Sequence, residues 1–210
     1  MKNTNYKLII VNGLPGSDKH DLINDLSIWF STLNYNVFSY NVLRPFSWDF
    51  SNTIVKEKGL NHPTEWVNID ILAYAVAIDN IQTASSEINS YLFDKNVFIL
   101  DKYSYYWCAL CVANGAKNLD VLADVYGLMI KPDINIYLEI SPEEAMINVK
   151  KKDDFSDFFE INESFLNFGE YFHEMYKAYK VTFGLLDSNY IEIKNKTDKK
   201  VIFESVKYHL

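Results

Sequence analysis

The sequence is poor in arginine and in clustered positive charge. Arg44 is the only arginine among 20 basic residues, and the formal net charge is −8 with a pI near 5.0. The lysines are scattered apart from Lys150-Lys151-Lys152 and Lys199-Lys200. A protein that binds nucleic acid needs a basic face to neutralise phosphates. The composition therefore argues against a nucleic-acid partner.

Long hydrophobic runs are also missing. No apolar run approaches the roughly 20 residues needed to span a bilayer. The N-terminal residues Met1-Lys2-Asn3-Thr4-Asn5 lead into a predicted strand without the apolar core of a signal peptide. We therefore expect a cytoplasmic protein with no membrane partner.

Cysteine is scarce, and its spacing does not indicate a metal or redox site. Cys108 and Cys111 form one Cys-x-x-Cys in an aromatic segment, and no second ligand pair follows at the spacing a structural zinc needs. A redox pair would stand at a helix N-terminus in a thioredoxin-like context. We interpret both cysteines as small buried residues.

The most informative segment present resembles a phosphate-binding loop. Such a loop is Gly-x-x-x-x-Gly-Lys-Ser/Thr between a buried strand and a helix, and residues 13–20 match it at Gly13 and Lys19. Asp18 replaces the second glycine, and His20 replaces the hydroxyl residue that binds Mg²⁺. The candidate nucleotide-binding residues are Gly13, Leu14, Pro15, Gly16, Ser17, Asp18, Lys19 and His20. The alternative is an ordinary turn in which Asp18 and Asp21 cap the following helix.

The hydrophobic pattern predicts a single α/β domain over residues 1–210, with a five-stranded parallel sheet flanked by helices and the first strand in the centre. The predicted strands are Lys7–Asn12, Asn36–Tyr40, Asn96–Asp101, Ile134–Ile140 and Tyr190–Lys194. The predicted helices lie near Lys19–Leu33, Glu65–Phe93, Tyr103–Gly115, Leu119–Met129, Pro142–Lys152, Glu160–Thr182 and Asp198–His209. The stretch Phe46–Asn61 is interpreted as loop-rich.

Several charged residues follow predicted strands directly. Ligands of parallel sheets bind at the carboxyl ends of the strands. We therefore expect Lys19, Arg44, Asp101 and Lys102 to surround one cleft.

The segment Asp101-Lys102-Tyr103, continued by SYYWCALCVANG, is similar to the Asp-Arg-Tyr-x-x-Ser-x-x-Ala-Tyr-Gln-x-x-x-Gly segment of thymidylate kinases. Arg44-Pro45 stands where that family has Arg-Glu-Pro-Gly, and Lys131-Pro132-Asp133 precedes the fourth strand. Pro142-Glu143-Glu144-Ala145 resembles a helix start of the family, and Asp157-Phe158-Phe159-Glu160 resembles the segment after its lid. The motifs occur in the family's order along nearly the whole chain.

This resemblance implies a three-layer P-loop kinase fold that uses ATP and Mg²⁺, with a short lid around residues 150–158. It implies that Lys19 contacts the donor phosphates, Asp101 the metal, and Lys102 and Arg44 the acceptor. Further acceptor-binding candidates are Tyr74, Tyr103, Tyr106 and Cys111. It also implies a homodimer through the helix Glu65–Phe93 and its neighbour from Tyr103.

The chain also departs from the family. Lys102 replaces an arginine and so lacks the planar fork that binds phosphate bidentately. Family arginines fall at Asn80 and Asn148, and the serine and glutamine that hold thymidylate fall at Tyr106 and Cys111. Three hypotheses stay open: an active thymidylate kinase-like phosphotransferase, a catalytically impaired homologue serving as a nucleotide-binding or partner protein, and a P-loop kinase of a small metabolite. Lys150-Lys151-Lys152 either supplies lid cations or forms a solvated helix end.

Overall fold

A central parallel sheet organises the molecule. The computed structural model describes residues 6–40, 45–89, 96–152, 166–186, 189–194 and 199–208. The strands are β1 (Tyr6–Gly13), β2 (Asn36–Tyr40), β3 (Asn96–Asp101), β4 (Ile134–Glu139) and β5 (Ile191–Lys194). Their order is β2-β3-β1-β4-β5, and every pairing is parallel. The predicted five-stranded parallel sheet with a central first strand is confirmed.

Helices cover both faces of the sheet. In the described residues they are α1 (Lys19–Thr32), α2 (Phe46–Lys58), α3 (Ile69–Asn89), α4 (Ser104–Ala113), α5 (Leu119–Tyr126), α6 (Pro142–Lys152), α7 (Phe168–Leu185) and α8 (Lys199–Tyr208). The buried clusters show that α1 and α8 pack on one face, and α3, α4 and α7 pack on the other. This is the three-layer α/β architecture that the sequence predicts.

The residues of β1 show why the central strand is buried on both sides. Successive strand side chains point to opposite faces, and Leu8 and Ile10 join one cluster while Ile9 and Val11 join the other. All four side chains are fully buried. A continuous apolar run is therefore the expected signature of this strand.

The helix α4 is almost wholly enclosed, which settles the placement of the two cysteines. Cys108 and Cys111 are reduced and have no exposed surface. Desolvation by burial raises the pKa of Cys108 to about 12, and burial raises the pKa of Cys111 well above its usual range. Both thiols are protonated at neutral pH, which agrees with their interpretation as small core residues.

The loop-rich interpretation of Phe46–Asn61 is wrong, because α2 occupies most of it. The buried side chains of α2 are Trp48, Ser51 and Val55, which recur at helical spacing. Gly59 ends the helix in a left-handed conformation with φ 63°. The prediction failed because only two of the three buried positions are apolar.

Two other helices begin later than predicted. A 3-10 turn, Pro63–Glu65, precedes α3, so the α-helix begins at Ile69. The start of α7 is fixed by a capping box: Asn167 accepts from the Glu170 N–H, and the Glu170 carboxylate accepts from the Asn167 N–H. The parts of the helix predictions that cover residues 90–93, 160–165, 198 and 209 lie outside the described residues. None of the described helices is long and apolar enough to cross a membrane.

Candidate active site

The loop after β1 contains a tight turn that its own sequence dictates. The Ser17 N–H donates to the Leu14 carbonyl over 3.2 Å, which closes a four-residue turn. Gly16 occupies the third position of that turn with φ 77°. Pro15 before a glycine with positive φ is the pattern of a type II turn. The turn brings the chain round toward the start of α1.

Lys19 is folded back against this loop. Its side chain is buried, and its Nζ donates to the Gly13 carbonyl over 3.0 Å and to the Leu14 carbonyl over 3.4 Å. The Tyr179 hydroxyl, on α7, also donates to the Gly13 carbonyl over 3.5 Å. The ammonium group is therefore fixed at the N-terminus of α1, where the helix dipole already favours anions.

Asp18 keeps the backbone conformation that a glycine would adopt, with φ 64° and ψ 30°. Aspartate tolerates this left-handed region better than most residues. Asp18 is the N-cap residue of α1, but its side chain makes no capping hydrogen bond to the helix, and Asp21 lies in the first turn. His20 lies half-buried in the first turn of α1. The left-handed backbone at Asp18 is the conformation that favours glycine, although the residue here is an aspartate.

The end of β3 lies beside this loop in the sheet. Asp101 is the last residue of β3 and pairs in register with Val11 of β1. Its carboxylate is 2% exposed, and Oδ1 accepts from the Lys102 N–H over 2.8 Å. Lys102 has φ 55°, and its Nζ lies 5.5 Å from the centre of the Tyr106 ring. Lys19, Asp101 and Lys102 therefore all lie at the end of the sheet where the carboxyl ends of the parallel strands meet.

The remaining candidate residues differ in how deeply their side chains are buried. The Tyr103 hydroxyl donates to the Ile130 carbonyl over 2.9 Å, and its ring is fully buried. The Tyr106 ring packs edge-on against Trp107. Tyr74 is half-buried on α3, and Cys111 lies about two helical turns beyond the start of α4. Arg44 lies outside the described residues.

A charged cluster, consisting of Glu139, Lys180, Glu192 and Lys194, stands at the ends of β4 and β5. Lys180 donates to Glu139 and lies 3.3 Å from Glu192, while Lys194 lies 3.4 Å from Glu139. Desolvation by burial raises the pKa of the Glu139 carboxyl, but hydrogen bonds within the cluster outweigh it and lower the pKa to about 2. Glu139 is therefore ionised throughout the physiological range.

Sequence reasoning missed two residues that contact the phosphate loop. Asn148 Nδ2, on α6, donates to the Gly16 carbonyl over 3.0 Å, and Tyr179 contacts Gly13 as described above. Sequence comparison treated Asn148 only as the position of a missing arginine. No local signal marks either contact, because 132 and 166 residues separate the partners.

A cavity of about 700 Å³ is lined by the start of α4, the C-terminal ends of α5 and α7, and the first residues of β4 and β5. It does not include Lys19, Asp101 or Lys102. The described residues also contain no group of three or more side chains able to hold a metal ion.

Comparisons with known proteins agree with this geometry. The sequence model of the thymidylate kinase family matches residues 45–202. A probable thymidylate kinase of Staphylothermus marinus is 24% identical over 152 residues, covering 72% of this chain and 71% of the relative. A probable thymidylate kinase of Thermococcus kodakarensis is 26% identical over 184 residues, covering 80% of this chain and 86% of the relative. The altered phosphate loop lies before the residues that the family model matches. With most of its length matched, this chain belongs to the thymidylate kinase family.

Proposed function

We propose that the protein transfers the γ-phosphoryl group of ATP to dTMP or a related nucleoside monophosphate. The observation that carries this proposal is the tight turn after β1, with Lys19 anchored on Gly13 and Leu14 beside the end of β3. Phosphoryl transfer depends mainly on positioning and on cations that stabilise the transferred group. The loop, the start of α1 and Lys19 supply the means to position the donor phosphates.

The residues present fit ATP better than they fit a metal ion bound by protein alone. Backbone N–H groups at the start of α1 and the Lys19 ammonium suit a polyphosphate. Mg²⁺ prefers oxygen ligands and usually keeps waters and substrate phosphates in its shell. Asp101 offers a carboxylate at this edge, whereas His20 offers no oxygen. Mg²⁺ would therefore arrive with ATP and take at most a small number of ligands from the chain.

In this proposal each charged residue has a separate role. Lys19 holds the donor phosphates, Asp101 orients the metal, and Lys102 and Arg44 hold the phosphate of the acceptor. Tyr74, Tyr103, Tyr106 and Cys111 shape the acceptor pocket. The proposed lid includes Lys150 and Lys151 at the end of α6, while its residues 153–158 lie outside the described part of the chain.

A catalytically impaired homologue is the second candidate, and Asp18 favours it. At about 4–6 Å and an effective dielectric near 20, a carboxylate repels each unit of phosphate charge by roughly 3–4 kcal/mol before screening. Binding of ATP could fall by about a hundredfold on that estimate. Asn80 is fully buried and uncharged, so it supplies no cation where the family has an arginine. Such a protein would bind nucleotide weakly and act as a partner or regulatory subunit.

Titration with Mg·ATP distinguishes the two candidates. We expect the double change Asp18→Gly, His20→Thr to tighten Mg·ATP binding by about a hundredfold, because it removes the repulsion and restores a hydroxyl ligand. Adding Lys19→Ala to that variant should remove most of the gain. Denaturant unfolding of each variant controls for misfolding.

An ADP-release assay with dTMP, dUMP and other monophosphates then tests catalysis and names the acceptor. Turnover by the natural sequence would support the kinase proposal. Failure of both the natural and the repaired sequence to bind Mg·ATP or release ADP would contradict it. Binding without turnover in either would instead favour the impaired homologue.

We also propose a homodimer formed through α3. Ile71 and Ile78 are 61% and 57% exposed and stand two helical turns apart, whereas Leu72 and Val76 of the same helix are buried in the core. A helix with an apolar outer face as well as a buried one suits an interface. Sedimentation at micromolar concentration tests this, and a species of 24.5 kDa would contradict the dimer.

A further inference from the structure

We propose that Asn148 is a positioning residue that holds the phosphate loop in its anion-binding conformation. The Asn148 Nδ2 donates to the Gly16 carbonyl over 3.0 Å, from a helix that lies 132 residues away in sequence. Gly16 is the turn residue with φ 77° on which the loop's reversal depends. The inference rests on the proposed function in one respect: the loop is taken to hold nucleotide phosphates.

The face of α6 around Asn148 fits closely against the loop. A Cβ added to Gly16 would lie 2.7 Å from the Ala145 carbonyl oxygen, 3.1 Å from the Asn148 Cβ and 3.2 Å from a Val149 methyl carbon. Ala145 and Val149 are fully buried. These positions share one side of the helix, because residues three and four apart are neighbours on its surface. The side chains of α6 that contact Gly16 are therefore apolar except for the Asn148 amide, which donates a hydrogen bond.

That donor fixes the orientation of one peptide group. In a trans peptide the Gly16 carbonyl and the Ser17 N–H point in opposite directions. While Asn148 holds the carbonyl toward α6, the Ser17 N–H points at the Leu14 carbonyl, to which it donates over 3.2 Å. The Leu14 carbonyl in turn accepts from the Lys19 Nζ. Asn148 is thus linked to Lys19 through three successive hydrogen bonds and never needs to touch a substrate.

The start of α6 explains how Asn148 reaches this place. Ser141 follows β4, and its Oγ accepts from the Glu144 N–H over 3.1 Å, which caps the helix. Pro142 occupies the first helical position, where its lack of an N–H costs nothing. Since β4 is the sheet neighbour of β1, a helix that begins at its end lies beside the loop that follows β1.

The test compares Asn148→Ala with Asn114→Ala. Asn114 Nδ2 donates to the Leu110 carbonyl over 2.8 Å at the end of α4, so its loss removes a similar hydrogen bond without touching the loop. The first measurement is amide hydrogen exchange at Ser17 in the ligand-free protein. We expect exchange at Ser17 to rise about fivefold to tenfold in Asn148→Ala and to stay unchanged in Asn114→Ala, as the loss of one hydrogen bond predicts.

The second measurement is calorimetric titration with inorganic tripolyphosphate, which probes the loop without a base or an acceptor. Binding should weaken by about fivefold to tenfold in Asn148→Ala only. Asn148→Asp, which cannot donate through its carboxylate, should behave at least as poorly. Unchanged Ser17 exchange in Asn148→Ala would overturn the inference, whatever the enzyme assays show. Faster exchange and weaker tripolyphosphate binding, together with no ADP release by the natural sequence, would sustain it while contradicting the proposed kinase activity.

Discussion

The loops that follow β1 and β3 share an unusual backbone conformation at one residue, but the two residues carry opposite charges. Each places a residue other than glycine in the left-handed region, Asp18 with φ 64° and Lys102 with φ 55°. Each stands at the carboxyl end of a strand, and the two strands are neighbours in the sheet. Yet Asp18 adds a negative charge beside the proposed site of the donor phosphates, whereas Lys102 adds a positive charge at the proposed acceptor site. The left-handed φ is common to both residues, and the sign of the charge is not.

Side chains of two other helices contact the backbone of the loop after β1. The loop after β1 is held from outside by Asn148 and by Tyr179, which bind the carbonyls of Gly16 and Gly13. We therefore expect that the charge at position 18 can be changed without loss of the fold.

The largest effect is expected from disrupting the packing of the loop after β1 against α6. Gly16→Ala should destabilise the protein by about 3 kcal/mol or more, because the new Cβ would lie 2.7 Å from a backbone oxygen and the residue would keep φ 77°. Gly59→Ala is the matched control. Gly59 has φ 63° and nothing within 4 Å of an added Cβ, so it should cost only about 1 kcal/mol.

Denaturant unfolding of both variants gives the difference, which isolates the contact with α6 from the strain of the left-handed backbone. Equal losses in the two variants would show that packing on α6 does not hold the loop.

A smaller effect is expected at a third strand end, where opposite charges are paired. Glu139 is held ionised with a pKa of about 2 against a usual 4.5. It should therefore contribute about 2–3 kcal/mol of stability above pH 4.5, and that contribution should be lost as the pH falls from 4.5 toward 2. Glu139→Gln should lower the free energy of unfolding at pH 7 and flatten its decline in acid.

Free energies of unfolding measured from pH 7 to pH 2 test this. Glu174→Gln serves as the control, because Glu174 pairs with Lys177 at 2.7 Å but both side chains are solvent-exposed. Such a pair contributes only about 0–1 kcal/mol. An acid profile of Glu139→Gln that parallels the natural protein would contradict the role given to this cluster.

The smallest effect is expected from changing Lys102 at the proposed acceptor site. Lys102→Arg should tighten binding of dTMP by about threefold to tenfold, because a guanidinium can bind phosphate bidentately. Lys102→Met, which keeps a long side chain without its charge, should weaken binding. Calorimetric titration with dTMP measures both. Equal affinities in all three proteins would mean that Lys102 serves its contact with Tyr106 and not the acceptor.

Much of the fold follows from local sequence signals. Apolar runs such as Leu8–Val11 predict strands buried on both faces, and the helical stretches between them leave only parallel crossovers. The Pro15-Gly16 pair similarly predicts its own turn. Helix α2 escaped prediction because its buried positions, Trp48, Ser51 and Val55, include a serine, while the apolar Phe46 and Phe50 are exposed. A helix with so few buried apolar residues is recognised only when the surface against which it packs is known.

The candidate site likewise has some features that the sequence predicts and others that only the tertiary structure shows. The sequence by itself determined the central place of β1 in the sheet. It also placed Lys19, Asp101 and Lys102 after strand ends, because each is tied to a strand by chain connectivity. Only the tertiary structure decided what holds that loop and balances its neighbours: Asn148 on Gly16, Tyr179 on Gly13, and Lys180 on Glu139. These contacts join residues 41 to 166 positions apart. No local pattern encodes them, since they exist only after the helices have packed against the sheet and brought distant donors to particular carbonyls and carboxylates.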